Sequence, residues 1–266
     1  MKVRSLLIII IVVFFAQLAN AAFGIEHLGA REVGIGGISS IADEYSSGLV
    51  MNPIGALFSE KLKLAVSHQN LFSSWASING LNASVSNKLG SWTIGYLELS
   101  QQELNYHERL LNVGYAAKIK KLRLGIGAQF AEESHLCGGG VGHSLDLALQ
   151  LDLNPRFKVG LLSTSIISNV EYDTGSIIAK PQITYLGSSF DISNDIKLFL
   201  EIVDTSAMRL GVEKRVGTSF AIRGGINEYS VPVFGFSLRK EKLGFEYALV
   251  LNEGGNSSLL NMVLHF

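Results

Sequence analysis

The sequence predicts an all-β protein: a transmembrane antiparallel β-barrel of about fourteen strands whose wall encloses a glycine-rich N-terminal segment. Three observations carry this expectation. Short segments of alternating apolar and polar residues follow one another from Lys61 to the C-terminus. The connections between them alternate short and long, as when tight turns lie on one side of a membrane and loops on the other. The chain is also hydrophobic, with 47% apolar residues and a mean hydropathy of +0.29. Yet beyond the leader no apolar run approaches the roughly 20 residues that a spanning helix needs.

The chain opens with a leader. Lys2 and Arg4 precede the apolar run Leu6 to Phe15, and Ala19-Asn20-Ala21 fits a small-x-small cleavage site, so residues 1–21 read as a cleaved signal peptide. The exported chain has a single cysteine, Cys137, and therefore no internal disulfide to stabilise it. Closed strand pairing supplies that stability instead. A net charge of -1 gives no electrostatic case for nucleic acid as a partner.

Residues 22–60 come next and keep neither a two-residue nor a 3.6-residue period. Gly29, Gly34, Gly36, Gly37, Gly48 and Gly55 surround an Asn52-Pro53 turn signal. Such a glycine density marks backbone that turns tightly or lies close against another surface.

Residues 61–266 are the barrel. The clearest strand is 143–153, where Leu145, Leu147, Leu149, Leu151 and Leu153 oppose Ser144, Asp146, Ala148, Gln150 and Asp152. Strands are expected near 61–69, 74–86, 90–100, 107–119, 121–131, 143–153, 156–167, 178–190, 195–203, 207–215, 217–227, 231–240, 242–251 and 257–266. Longer connections are expected at Glu132–Gly142 and Ser168–Ile177, tight ones at positions such as Asn154-Pro155 and Lys240-Glu241. Trp92, Phe157, Phe220 and Phe245 fall near the tight-turn ends on the apolar face, the place of an interfacial aromatic girdle. In the last strand Leu260, Met262, Leu264 and Phe266 share one face and end on an aromatic residue.

On the opposite face the alternation places Gly114, Gly125, Gly127, Gly160, Gly211, Gly225, Gly235 and Gly244. Either these glycines ease barrel curvature, or they leave room for the segment before Lys61. Glu201, Arg209, Glu213, Arg223 and Glu246 project inward from neighbouring strands as a lumen charge network, in which buried charges need partners.

Gly29-Ala30-Arg31, Gly34-Ile35-Gly36-Gly37, Ala42-Asp43-Glu44 and Asn52-Pro53 resemble the N-terminal block of PorV/PorQ-type proteins. Those belong to the FadL-like superfamily of outer-membrane barrels, related to long-chain fatty acid transporters. Ile35, Ile38, Glu44 and Ile54 depart from the family's pattern. The terminal strand likewise resembles the signature by which bacterial outer-membrane barrels are recognised for assembly.

The resemblance implies a hatch or plug inside the barrel. Gly34, Gly36 and Gly37 would pack on the wall, Asp43 and Glu44 would make its polar contacts, and Asn52-Pro53 would turn it, with Gly29 and Arg31 opening the block. It implies a non-enzymatic, porin-like protein of a Gram-negative-type outer membrane, surrounded by lipid. Such a protein serves transport of hydrophobic compounds or protein secretion and surface assembly, with hydrophobic small molecules or secretion-system proteins as partners. Leu260, Met262, Leu264 and Phe266 would be read by the barrel-assembly machinery.

An outer-membrane lipid-modifying hydrolase is the alternative. His68, His107, His135 and His143 lie near the outer strand ends, but no spacing forms a nucleophile motif, so no catalytic residue is assigned. His135, Cys137 and His143 make only a loose metal grouping, and Gly138 to Gly142 lacks the Lys and Ser/Thr of a phosphate loop. Neither a metal nor another cofactor is expected.

Overall fold

The computed structural model describes residues 29–43, 46, 50–58, 61–136, 138–204 and 206–266. The expected signal peptide 1–21, Glu44, Gly48 and Cys137 lie outside the described residues.

Strict alternation with no helix-forming period gives long strands. They are β1 (Leu62–Leu71), β2 (Ala76–Asn87), β3 (Gly90–Gln101), β4 (Tyr106–Ile119), β5 (Leu122–His135), β6 (Gly138–Asn154), β7 (Phe157–Tyr172) and β8 (Ile177–Ile178). β9 (Ile183–Asp191), β10 (Ile196–Val203), β11 (Ala207–Val216), β12 (Phe220–Ile226), β13 (Pro232–Lys240), β14 (Leu243–Val250) and β15 (Ser257–His265) complete the set. Each main strand pairs antiparallel with its chain neighbours, and β15 returns to β1 through Leu64↔Leu264 and Val66↔Met262. The two-residue β8 only adds to the edge of β7, which pairs onward with β9, so fourteen strands close the ring. Closure leaves no unpaired edge, which a bilayer demands.

The distribution of polarity is the reverse of a water-soluble protein. Leu81, Trp92, Ile94, Ile126, Leu186, Phe234 and Met262 face outward and are exposed. Asn82, Asn112, Asp146, Gln150, Glu201, Arg209 and Glu213 face inward and are buried. In water the outward rows would drive aggregation, whereas lipid accepts them. At the short-turn end Trp92 stacks with Tyr115 at 4.7 Å, Phe157 with Phe190 at 6.5 Å and Phe236 with Phe245 at 6.2 Å. These outward rings line the rim at that end.

Three expectations need correction. Glu132–Gly142 is not a loop: the β5–β6 ladder runs up to His135↔Gly138, with Glu133↔Gly140 and Ser134↔Gly139 paired. The glycines carry no side-chain alternation to read, yet their backbones complete the ladder. The connection expected at Ser168–Ile177 is likewise shortened, because β7 continues to Tyr172. Conversely, the eighth strand expected at 178–190 starts late: β9 begins at Ile183, and Pro181 has no N–H to give a ladder.

The β6–β7 ladder shifts register twice, and the larger shift falls at Asp146. Leu145 pairs with Ile167 but Leu147 with Ser163, so Thr164, Ser165 and Ile166 face Asp146 alone. Ser165 takes φ 56°, and its N–H donates to Asp146 Oδ1 at 2.8 Å. A second donor, Gln129 Nε2, reaches Asp146 Oδ2 at 2.5 Å. The inward carboxylate thus anchors the bulge.

Candidate functional site

The inner face is met by two stretches of the N-terminal segment. The first begins with a one-turn helix, α1 (Ala30–Gly34), all five residues of which are buried. Gly36 and Gly37 follow at φ 94° and 85°, a left-handed backbone that glycine adopts without strain. This turn lies directly on a floor of wall glycines. A Cβ on Gly235 would come within 3.1 Å of Gly34 Cα, and one on Gly225 within 2.7 Å of the Gly36 nitrogen. A Cβ on Gly211 would collide with the Ile35 carbonyl, and one on Gly160 with the Ser40 carbonyl. Backbone therefore sits against backbone with no layer of side chains between.

Charge fixes this stretch laterally. The Arg31 guanidinium, fully buried, donates from Nη2 to Asp43 Oδ2 at 2.8 Å and from Nε to Glu213 Oε2 at 3.1 Å. Glu213 Oε2 also accepts from Arg223 Nε at 2.7 Å. Lys197 Nζ donates to the same Asp43 oxygen at 3.0 Å. Burial works to raise the Asp43 carboxyl, but Arg31 and then Lys197 overcome it and hold the group well below the usual carboxylate range. Asp43 is ionised at neutral pH.

A second knot forms around Glu201. Its Oε2 accepts from the Ser39 amide at 2.9 Å, the Ser40 amide at 2.7 Å and the Ser40 hydroxyl at 2.5 Å. Arg209 Nη1 donates to Glu201 Oε1 at 3.1 Å and to the Gly37 carbonyl at 2.7 Å. The rest of that guanidinium forks onto Glu228 at 2.7 and 2.6 Å. Isolated, any of these charges would be costly to bury; together they satisfy one another. Ile35, Ile38 and Ile41 fill the space beside Phe199.

The second stretch runs from Val50 to Phe58. Asn52 ties it back to the first by donating from Nδ2 to the Ser39 carbonyl at 2.8 Å, while its Oδ1 accepts from the Ile54 amide at 3.1 Å. Pro53 starts a 3₁₀ turn, Pro53–Phe58, where its fixed φ suits the first position. Here the wall is met by side chains. Pro53 lies over Gly114 and Gly125, Val50 joins Leu97 and Leu110, and Met51 and Ile54 pack with Leu162 and Tyr185. The Ala56 carbonyl accepts from Ser86 Oγ at 2.8 Å. Phe58 sits 4.7 Å from the Arg123 guanidinium and 5.6 Å from Lys158 Nζ.

The residues expected at the site are thus brought together in part. Gly34, Gly36, Gly37, Arg31, Asp43, Asn52 and Pro53 meet the inner face or one another, with Gly29 at the N-cap of α1. Glu201 joins Arg209, and Glu213 joins Arg223. Glu246 stands apart, lining a recess near the short-turn end with Lys63 and Arg239. Of the eight inward glycines, Gly127 and Gly244 face only barrel side chains or backbone. Lys197 and Glu228 were not expected to take part. Lys197 shares the inward parity of Glu201 and was legible on that ground; Glu228 lies in a connection, where no period points inward. Leu260 and Met262 are exposed on the outward face of β15, and Phe266, just past its end, is exposed and donates its amide to the Leu62 carbonyl at 2.9 Å. His68 Nδ1 lies 2.8 Å from Asn79 Oδ1.

No protein-family model matches the sequence, and no curated protein matches it. Solved structures do match in fold. The Pseudomonas putida toluene transporter TodX aligns with a TM-score of 0.66 at 10% identity, covering 91% of this chain and 99% of that one. The CymD monoaromatic hydrocarbon channel gives 0.61 at 14%, over 92% and 99%. A Pseudomonas aeruginosa FadL homologue gives 0.59 at 10%, over 91% and 98%. At such identities the likeness is one of fold.

Proposed function

We propose that this chain is a non-enzymatic outer-membrane barrel of the FadL-like type that passes small hydrophobic compounds across the outer membrane, with residues 22–60 as its hatch. The observation that supports this reading is the contact of residues 29–43 and 50–58 with inward-facing residues of the wall. A general diffusion porin needs a standing aqueous channel, whereas a lumen packed in this way suits compounds that pass when part of the filling shifts. The likeness in fold to hydrocarbon channels over nearly the full length of both chains supports the same substrate class. The outward apolar belt supports residence in the outer membrane behind a cleaved leader. Closure of β15 on β1 is consistent with Leu260, Met262, Leu264 and Phe266 being read by the assembly machinery.

The test is uptake of labelled toluene into proteoliposomes. In a Cys137→Ser background, Ala56→Cys with Ser86→Cys ties the second stretch to the wall where Ser86 Oγ already reaches the Ala56 carbonyl at 2.8 Å. Uptake is expected when the pair is reduced and lost when it is oxidised. Equal uptake in both states, or uptake no faster than in empty liposomes, contradicts the reading.

A second reading, a permanently plugged PorV-type component of secretion or surface assembly, draws on the ion pairs that fix Arg31 and Asp43 and on the short outer connections. It predicts no uptake and a stable outer-membrane partner that co-purifies with the barrel.

A further inference from the structure

The glycine run Gly138–Gly139–Gly140 plays no part in the hatch, yet it is the floor of a groove of about 590 Å³ at the long-connection end of the barrel. The paired strands carry one transverse inward row across β4 to β7: Glu108↔Glu133, Glu133↔Gly140 and Gly140↔Tyr172. Two carboxylates thus stand side by side, followed by a position with no side chain and then by an aromatic ring. The Tyr172 ring lies over Gly140, 3.0 Å from where a Cβ would be, and Asp173 Oδ2 lies 3.4 Å from the same point on Gly138. Glu132 and Glu171 complete the rim. Among the described residues lining the groove there is no lysine, arginine or histidine; on the outward side Arg109 Nη1 stands 3.9 Å from Glu132.

Glu133 is the telling member. It is 5% exposed, and its Oε2 has no hydrogen-bond partner. Oε1 faces His135 Nε2 at 3.8 Å, and the Tyr106 hydroxyl also reaches the carboxylate. A buried carboxylate oxygen without a donor is costly, and an incoming cation relieves the cost. Charge at the two ends of the barrel also differs. The connections at the groove end carry Glu103, Asp204, Glu228 and Glu253 against Lys180, whereas turns at the other end carry Lys88, Lys120, Lys121 and Arg156 against Asp195 and Glu241. A positive solute is drawn to the groove end and a negative one is not. The described carboxylates do not converge as metal ligands would. Carboxylates set around an aromatic face instead suit an ammonium group, held by charge and by the ring's quadrupole.

We infer that this groove is a capture site for small hydrophobic organic cations, alkyl or aryl ammonium compounds, at the mouth of the barrel. The inference rests on the transport reading and gives its substrates a charge. Benzyltrimethylammonium and its uncharged carbon isostere neopentylbenzene separate charge from shape. Titrated into the detergent-solubilised barrel by calorimetry, the cation is expected to bind about tenfold more tightly than the isostere and to weaken with salt. Glu133→Gln and Tyr172→Ala should each raise its Kd severalfold, while Glu241→Gln, in a turn at the opposite end of the barrel, leaves it unchanged. Asp173→Asn, at an exposed position, gives a second reading of the groove should Glu133→Gln fail to fold. Equal affinity for the two probes, no effect of Glu133→Gln and Asp173→Asn, or displacement of the cation by Mg²⁺ at constant ionic strength would overturn the inference. Toluene uptake by the same protein reports separately on transport. Its absence with cation binding intact defeats the transport reading and leaves the groove; uptake without cation binding defeats the groove alone.

Discussion

Residues 29–43 and residues 50–58 both lie against the inner wall, but they meet it by different means. The first stretch lays backbone on backbone over Gly211, Gly225 and Gly235 and is pinned by Arg31, Asp43, Glu201 and Arg209. The second meets the wall through side chains, with the Ser86–Ala56 hydrogen bond and the Phe58 ring near two cations. The first contact has one geometry, because neither a glycine floor nor a buried ion pair tolerates sliding. Apolar side chains can slide and repack. The difference assigns anchoring to residues 29–43 and any movement to residues 50–58.

Glu201→Ala should break this division most severely. It takes one of two carboxylates from Arg209, which keeps Glu228, and removes the acceptor for the Ser39 and Ser40 amides, at about 1–3 kcal/mol for each orphaned amide. Amide hydrogen exchange in detergent is expected to speed up across residues 35–42. Gly211→Val follows, forcing a side chain into the Ile35 carbonyl at a cost of about 1–3 kcal/mol, with the same exchange signature. Asn52→Ala cuts the tie between the two stretches at about 1–3 kcal/mol, and should free residues 50–58 while leaving 35–42 protected. Phe58→Ala removes ring–cation contacts worth about 1 kcal/mol and should change exchange only locally. If Phe58→Ala loosened residues 35–42 as much as Glu201→Ala does, the two stretches would be one unit.

Acid gives the smallest and most specific effect. The Asp43 carboxyl is held below its ordinary value, so its pairing with Arg31 and Lys197 is complete above about pH 4 and is lost only as pH falls through the depressed value. Protection of residues 35–42 is expected to be flat from pH 7 to about pH 5 and to decline at the acid extreme.

Much of the barrel was legible because a two-residue period survives in any strand that faces lipid on one side and polar groups on the other. The fourteen strands and the inward parity of Glu201, Arg209, Glu213 and Arg223 follow from that alone. The Glu133–Gly140 ladder was not legible, since glycine carries no sign of which face it occupies. Glu228 was invisible for a different reason, as a connection has no period at all. The segment itself announced close approach by its glycines, but its partners could not be read. Ser39 and Ser40 meet Glu201 some 160 residues away, and only the closed ring brings them together.

The central claim, that residues 29–43 and 50–58 occupy the lumen, is tested most directly by conductance in planar bilayers. The intact barrel is expected to be nearly silent, and deletion of residues 29–57 to open a steady ion-conducting pore. A deletion variant that folds, shown by heat-modifiable migration, and conducts no more than the intact protein would contradict the account.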